Sequence, residues 1–222
     1  MTTVPWSASP LAAVAAVLAT GVAVGVQFSR RGSSWWAPSG WPLIGFRASV
    51  SMGIVAGVLA SATVVRFGLS WLLPAHLFIA ALAVMLTAVD LGVRRLPNVV
   101  VLPAVPITVA LLALGAWSAH DWGALISAAL AGIALFSFLL LCALVSPASV
   151  GMGDVKLALV VGTYTGFFGW TTAALSALLA FVAAAVLGLV LLASRRIGRG
   201  GMVPFGPSMF IGALISLWVN AA

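Results

Sequence analysis

The sequence predicts an all-α polytopic membrane protein with about eight transmembrane helices and its N-terminus outside. Hydrophobic residues make up 64% of the 222 residues, charged residues only 6%, and the mean hydropathy is +1.26. Charged residues normally contribute about a quarter of a soluble domain, so this composition excludes a water-soluble globule. We expect a single integral membrane domain over residues 1–222, because closely spaced spans leave no room for a separate soluble domain.

Apolar runs of about 20 residues, the length that crosses a bilayer core as a helix, recur along the chain. The run from Leu157 to Ser194 carries no charge and is too long for one helix. We expect it to divide at Gly166-Phe-Phe-Gly169, where two glycines favour a turn. No Lys or Arg precedes the first apolar run, which favours a retained span over a cleaved signal peptide. The predicted spans lie near residues 10–28, 49–66, 71–89, 98–117, 122–145, 154–168, 170–193 and 203–220.

Basic residues determine the predicted orientation. With the N-terminus outside, nine of the ten Lys and Arg residues lie on the cytoplasmic side and only Arg66 lies opposite, as the positive-inside rule requires. Their scatter among apolar runs favours contact with an anionic lipid leaflet over nucleic-acid binding. The predicted location is therefore a membrane whose cytoplasmic leaflet faces the basic residues. An aromatic belt accounts for the tryptophans. The predicted outer set is Trp71, Trp117, Trp122, Trp170 and Trp218, and the inner set is Trp35, Trp36 and Trp41.

Three aspartates are the only acidic residues of the chain, which contains no glutamate. Asp121 falls in a short outer loop, whereas Asp90 and Asp154 fall at cytoplasmic ends of their spans. Acids kept in a membrane protein usually serve a function. Two carboxylates that face one another share a proton, so one can take a proton from water while the other donates to a substrate carbonyl. For Asp90 alone, an ion pair with Arg94 or Arg95 is an open alternative.

Glycines surround the second of these acids, in the segment Gly151-Met-Gly153-Asp154-Val-Lys156-Leu157. Glycine permits close backbone approach, which a simple helix start does not require. The alternative is that Asp154 merely caps the helix, and this leaves Gly151 and Gly153 unexplained. The helix is also short, so we expect its start to lie recessed in a water-accessible cavity within the protein.

A third segment, Pro204-Phe205-Gly206-Pro207, returns the chain into the membrane on the same predicted face, where it would form a rigid wall or position a substrate. We expect neither a metal nor another cofactor. Cys142 is the only cysteine and lies in an apolar run, and both histidines, His76 and His120, fall on the outer side.

Together, the three segments resemble the type IV prepilin peptidases, a family of Gly-x-Gly-Asp intramembrane aspartyl proteases, over about residues 72–220. The glycine-rich segment around Asp154, with Gly162 downstream, resembles the second aspartate motif of the family. The segment from Asp90 to Pro97-Asn98 is similar to the first. The Pro-Phe-Gly-Pro segment is similar to a late motif of the family.

The resemblance implies that Asp90 and Asp154 are the catalytic pair. The substrate would be a prepilin or pseudopilin, whose short basic leader is removed at the cytoplasmic face. Gly151 and Gly153 would let the loop move or accept the substrate backbone, and Lys156 would tune Asp154 or bind a lipid phosphate. Only residues 29–48 separate the first two spans, so we expect a short form without the zinc-binding methyltransferase domain of bifunctional relatives.

Two other functions remain open at this point. Membrane carboxylates often relay protons, so a proton-coupled transporter is the main alternative. Transporters commonly place such acids near the midplane of repeated halves, whereas these acids lie at helix ends and no repeat is evident. A non-catalytic scaffold for pilus assembly is the second alternative, and it would not need both acids or the flanking glycines.

Overall fold

A computed structural model describes residues 46–68, 70–93, 96–146, 150–194 and 204–220. Those residues form seven helices and no β-strand. The helices correspond to predicted spans two to eight, and the first predicted span, residues 10–28, lies outside the described residues. Their bounds are Phe46–Phe67 (α1), Leu73–Val93 (α2), Asn98–Ala119 (α3), Trp122–Val145 (α4), Met152–Gly166 (α5), Trp170–Ala193 (α6) and Gly206–Asn220 (α7).

Four of the described helices are long and apolar enough to cross a membrane. They are α2, over Leu73–Asp90, and the whole of α3, α4 and α6. The α7 helix is apolar but shorter. The all-helical membrane class is thus confirmed, while the full number of crossings and the side on which the chain begins stay predictions.

The chain divides into two compact units, residues 1–93 and 94–222. In the first unit, α1 packs against α2. Gly68 ends α1 with a φ of +68°, a conformation that suits glycine, and its N–H donates to the Val64 carbonyl oxygen at 2.9 Å. The buried apolar side chains of α2 recur at helical spacing along one face. They are Ala75, Ile79, Leu82, Leu86 and Val89.

In the second unit, the short α5 helix lies at the centre and contacts α3, α4, α6 and α7. Ten of its fifteen residues are buried. At 1.5 Å per residue the helix is about 22 Å long, less than the roughly 30 Å hydrocarbon core of a bilayer. The sequence-based expectation of a short helix here is confirmed, and its neighbours rather than lipid surround most of it.

Small residues bring α5 and α4 close together. A Cβ at Gly162 would lie 2.9 Å from the Gly132 Cα and 3.0 Å from the Ala131 carbonyl oxygen. A Cβ at Gly132 would in turn overlap the Thr163 hydroxyl. Close backbone approach through small residues is the usual means of helix association in lipid, where the hydrophobic effect does not drive it.

A tight turn joins α5 to α6, as the glycines predicted. Gly169 has a φ of +111°, and its N–H donates to the Gly166 carbonyl oxygen at 3.1 Å. The same carbonyl accepts the Ser127 hydroxyl of α4 at 3.0 Å. The start of α4 and the end of α5 therefore lie at the same end of this unit.

The α6 and α7 helices form the other extensive contact of the second unit. Gly212 of α7 lies against the Ser176 carbonyl oxygen and the backbone of Ala180 in α6. Two buried hydroxyls near this contact, Ser176 Oγ and Ser208 Oγ, have no hydrogen-bond partner.

The five tryptophans predicted at the outer interface are 43–63% exposed and lie at or near helix ends.

Candidate active site

Asp154 is the third residue of α5 and is half-buried. Gly151 occupies the N-cap position in an extended conformation, and its carbonyl oxygen accepts the N–H groups of Asp154 at 3.0 Å and Val155 at 3.2 Å. The capping residue is therefore Gly151 and not Asp154. A carboxylate in the first turn of a helix is stabilised by the helix dipole.

The structure explains both glycines that flank this acid. A Cβ at Gly151 would lie 3.1 Å from Asp154 Oδ2, so the carboxylate folds back over the N-cap residue. A Cβ at Gly153 would lie 2.8 Å from the Leu96 Cβ, closer than side-chain carbons approach. Gly151 therefore makes room for the Asp154 carboxylate, and Gly153 makes room for Leu96 in the segment before α3.

Lys156 lies in the same turn and contacts the segment that follows the first aspartate. Its Nζ donates to Asn98 Oδ1 at 2.9 Å, a hydrogen bond between residues 58 positions apart. Asn98 is the first residue of α3, and Pro97 precedes it as an extended N-cap that accepts two backbone N–H groups. The structure thus brings together Pro97, Asn98, Gly153 and Lys156 from the two aspartate segments.

Asp90 lies in α2, three residues before the last residue of the helix, and is 5% exposed. It belongs to the first compact unit, whereas Asp154 belongs to the second. The structure describes each acid within its own unit, and their pairing stays a prediction. Arg94 and Arg95, the alternative partners for Asp90, lie outside the described residues.

The Pro-Phe-Gly-Pro segment is fixed against α6 by an aromatic contact. The ring of Phe205 lies 5.3 Å from that of Phe181, which in turn lies 6.0 Å from Phe138 of α4. Pro204, Gly206 and Pro207 are buried. Sequence reasoning missed Phe138 and Phe181, because an aromatic residue inside an apolar span carries no signal of its partner.

Within the described ranges, no group of three or more His, Cys, Asp or Glu residues could hold a metal ion. Cys142 is a free, half-buried thiol in α4. His76 is buried in α2 against the ring of Phe67, with the ring centroids 4.5 Å apart. Asp121 accepts the Ala124 N–H at 3.1 Å and caps α4, which explains this acid structurally.

A protein-family model matches the part of the chain that holds both aspartates. The model of the type IV leader peptidase family matches residues 77–193, more than half of the chain and a stretch that contains both Asp90 and Asp154. The chain belongs to the type IV leader peptidase family. The sequence-based resemblance is confirmed. The Pro-Phe-Gly-Pro segment lies beyond the matched residues of the type IV leader peptidase model.

Two curated relatives show the same similarity. A prepilin leader peptidase/N-methyltransferase of Stutzerimonas stutzeri is 29% identical over 168 residues, which cover 74% of this chain and 56% of the relative. The protein of the same name from Pseudomonas aeruginosa is 29% identical over 178 residues, 80% of this chain and 57% of the relative. The chain thus spans little more than half the length of these relatives. No solved structure matches it.

Proposed function

We propose that the protein is a membrane aspartyl endopeptidase that removes the short basic leader from type IV prepilins or pseudopilins. The observation that carries this proposal is the family match, which includes both aspartate segments. Asp121 also lies in the matched region, but it is exposed and caps α4. Asp90 and Asp154 are therefore the acids available for catalysis.

The proposed reaction needs no group beyond two carboxyl groups and water. The ionised carboxylate takes a proton from water, and the water oxygen bonds to the carbon of the scissile carbonyl. The protonated carboxyl donates a hydrogen bond to the carbonyl oxygen and stabilises the charge that develops there. The C–N bond then breaks as the nitrogen accepts a proton, which leaves a new carboxyl group on the leader and a new amine on the pilin.

In the proposed topology, eight helices cross a bacterial inner membrane with the N-terminus outside, and the active site faces the cytoplasm. The distribution of Lys and Arg supports this orientation. A cysteine at the exposed Ala119, in a Cys142→Ser background, tests it with a membrane-impermeant thiol reagent on intact cells. Labelling at position 119 from outside is expected, and labelling only after lysis would reverse the topology.

The catalytic pair is tested by co-expressing the chain with a type IV prepilin and following leader removal by gel mobility. Asp90→Asn and Asp154→Asn are each expected to abolish cleavage, because neither half of the reaction proceeds with one carboxyl alone. Asp121→Asn is the matched control, since an asparagine oxygen still caps α4. Immunoblotting of membranes confirms equal protein amounts. Full processing by either of the first two variants contradicts the assignment.

The family match favours a peptidase over a proton-coupled transporter, and an absence of pH-driven solute flux in liposomes is the corresponding expectation.

The relatives are named for an N-methyltransferase activity as well as for a peptidase. We propose peptidase activity alone for this chain. Mass spectrometry of the mature pilin N-terminus after processing in vitro with a methyl donor tests this, and a methylated product refutes it.

A further inference from the structure

The first turn of α5 holds the residues Leu96–Asn98 at two points. Leu96 packs against Gly153, where the absence of a side chain leaves room for it. A Cβ at position 153 would lie 2.8 Å from the Leu96 Cβ. Three residues further on, the Lys156 ammonium donates to the Asn98 side-chain oxygen at 2.9 Å. The packing of Leu96 against Gly153 limits how closely the segment approaches α5. The hydrogen bond from Lys156 to Asn98 limits how far the segment can slide along the helix.

This segment also lies close to the first aspartate in the sequence. Only five residues separate Asp90 from Leu96. On the other side of the contact, Asp154 lies between Gly153 and Lys156 in the same helical turn. The two contacts therefore lie on either side of Asp154 in the sequence of α5.

We propose that Lys156 is a positioning residue that, with Asn98, clamps the Leu96–Asn98 segment onto the Asp154 turn and thereby holds Asp154 in a catalytically competent position. This inference rests on the proposed peptidase function. It gives Lys156 a role in holding two segments of the protein together, in place of binding a lipid phosphate or tuning the Asp154 carboxylate by its charge. The substrate binds whether or not the clamp is formed, so loss of the clamp lowers the fraction of enzyme–substrate complexes that react. The value of kcat therefore falls while KM is unchanged.

The side-chain chemistry determines the variants that test the clamp. Lys156→Met keeps the length of the side chain and removes the donor, and Asn98→Leu keeps the approximate volume and removes the acceptor. Asn98→Asp keeps an acceptor oxygen and offers Lys156 a charge-assisted bond. Val99→Leu is the matched control, because Val99 is exposed beside Asn98.

The experiment measures cleavage of a synthetic prepilin peptide by the purified full chain in liposomes, with kcat and KM determined separately. Lys156→Met and Asn98→Leu are each expected to lower kcat about tenfold, the factor that corresponds to one hydrogen bond with a charged donor. The double variant is expected to be no slower than the worse single variant, because both changes remove the same bond. Asn98→Asp restores kcat to within about threefold of wild type.

Multiplicative losses in the double variant overturn the inference, since they show that the two residues act independently. A loss confined to KM also overturns it, because it assigns Lys156 to substrate binding. The thermal unfolding midpoints of the two single variants and the double variant form a second double-mutant cycle, which does not depend on enzymatic activity. If the wild-type chain leaves the leader attached, the proposed function fails. Coupled midpoint shifts then show that the contact between α3 and α5 exists without that role, whereas additive shifts refute the contact itself.

Discussion

Gly162 lies where α5 comes closest to α4, so adding one methyl group there tests how tightly the central helix is held. The Cβ of Gly162→Ala would lie 2.9 Å from the Gly132 Cα, 3.0 Å from the Ala131 carbonyl oxygen and 3.1 Å from the Leu135 Cβ. Carbon atoms in favourable contact lie about 3.5–4.0 Å apart, so the two helices would have to separate by roughly 0.5–1 Å. Two of the three obstructing atoms belong to backbone, which cannot rotate away.

The expected cost follows from two opposing effects. Overpacking a close contact destabilises by about 1–3 kcal/mol, while replacing glycine by alanine inside a helix stabilises by up to about 1 kcal/mol. We therefore expect a net loss of about 1–2 kcal/mol in the free energy of unfolding. For a chain of this size, that loss lowers the unfolding midpoint by about 2–8 °C.

The assay is thermal unfolding of the purified protein in detergent, followed by tryptophan fluorescence. Gly123→Ala is the matched control, because it makes the same substitution at an exposed position in the first turn of α4. Among the described residues, the nearest atom beyond its chain neighbours and its own helix backbone is Asp121 Oδ1 at 3.2 Å, and a side-chain oxygen can shift by a few tenths of an ångström. An unchanged or raised midpoint for Gly162→Ala would refute the claim that α4 and α5 are packed at their limit.

Three further substitutions test other contacts of the second unit by the same assay. Ser127→Ala removes the hydrogen bond to the Gly166 carbonyl oxygen and is expected to cost about 0.6 kcal/mol, typical of polar contacts between membrane helices. Ser208→Ala removes a buried hydroxyl without a partner, so the midpoint should stay constant or rise, and a clear fall would reveal a bond to that hydroxyl. Phe205→Ala removes the ring contact with Phe181 and should destabilise by about 1–2 kcal/mol. Phe205→Leu should recover part of this loss, and full recovery by the leucine variant would argue against an aromatic contribution.

Helix positions were the part of the fold that the sequence predicted well. The spans at 122–145 and 170–193 agree with α4 and α6, because polar residues or glycines mark each boundary. The start of α5 was predicted two residues late, since Asp154 was assumed to stand near the N-terminus and Gly151 takes the N-cap position instead. A glycine N-cap leaves little sequence signal.

Helix packing could not be predicted in the same way. In a soluble helix, the apolar stripe shows which face is buried, but membrane helices are apolar all round and lose this signal. Gly162 was noted as part of a motif, yet nothing in the sequence paired it with Gly132. The hydrogen bond between Lys156 and Asn98 was likewise unpredictable, since 58 positions separate two residues that were each assigned a separate role.

The central position of α5 also has a consequence for how the protein is made. The helix has fifteen residues, begins with an acid and a base in its first two turns, and is not among the four described helices that are long and apolar enough to cross a bilayer. Such a segment partitions poorly into lipid alone during synthesis. We therefore expect it to enter the membrane together with α4 and α6, which flank it in the chain. Damage to the contact between α4 and α5 is therefore expected to appear first as failed insertion and proteolytic loss of the newly made chain.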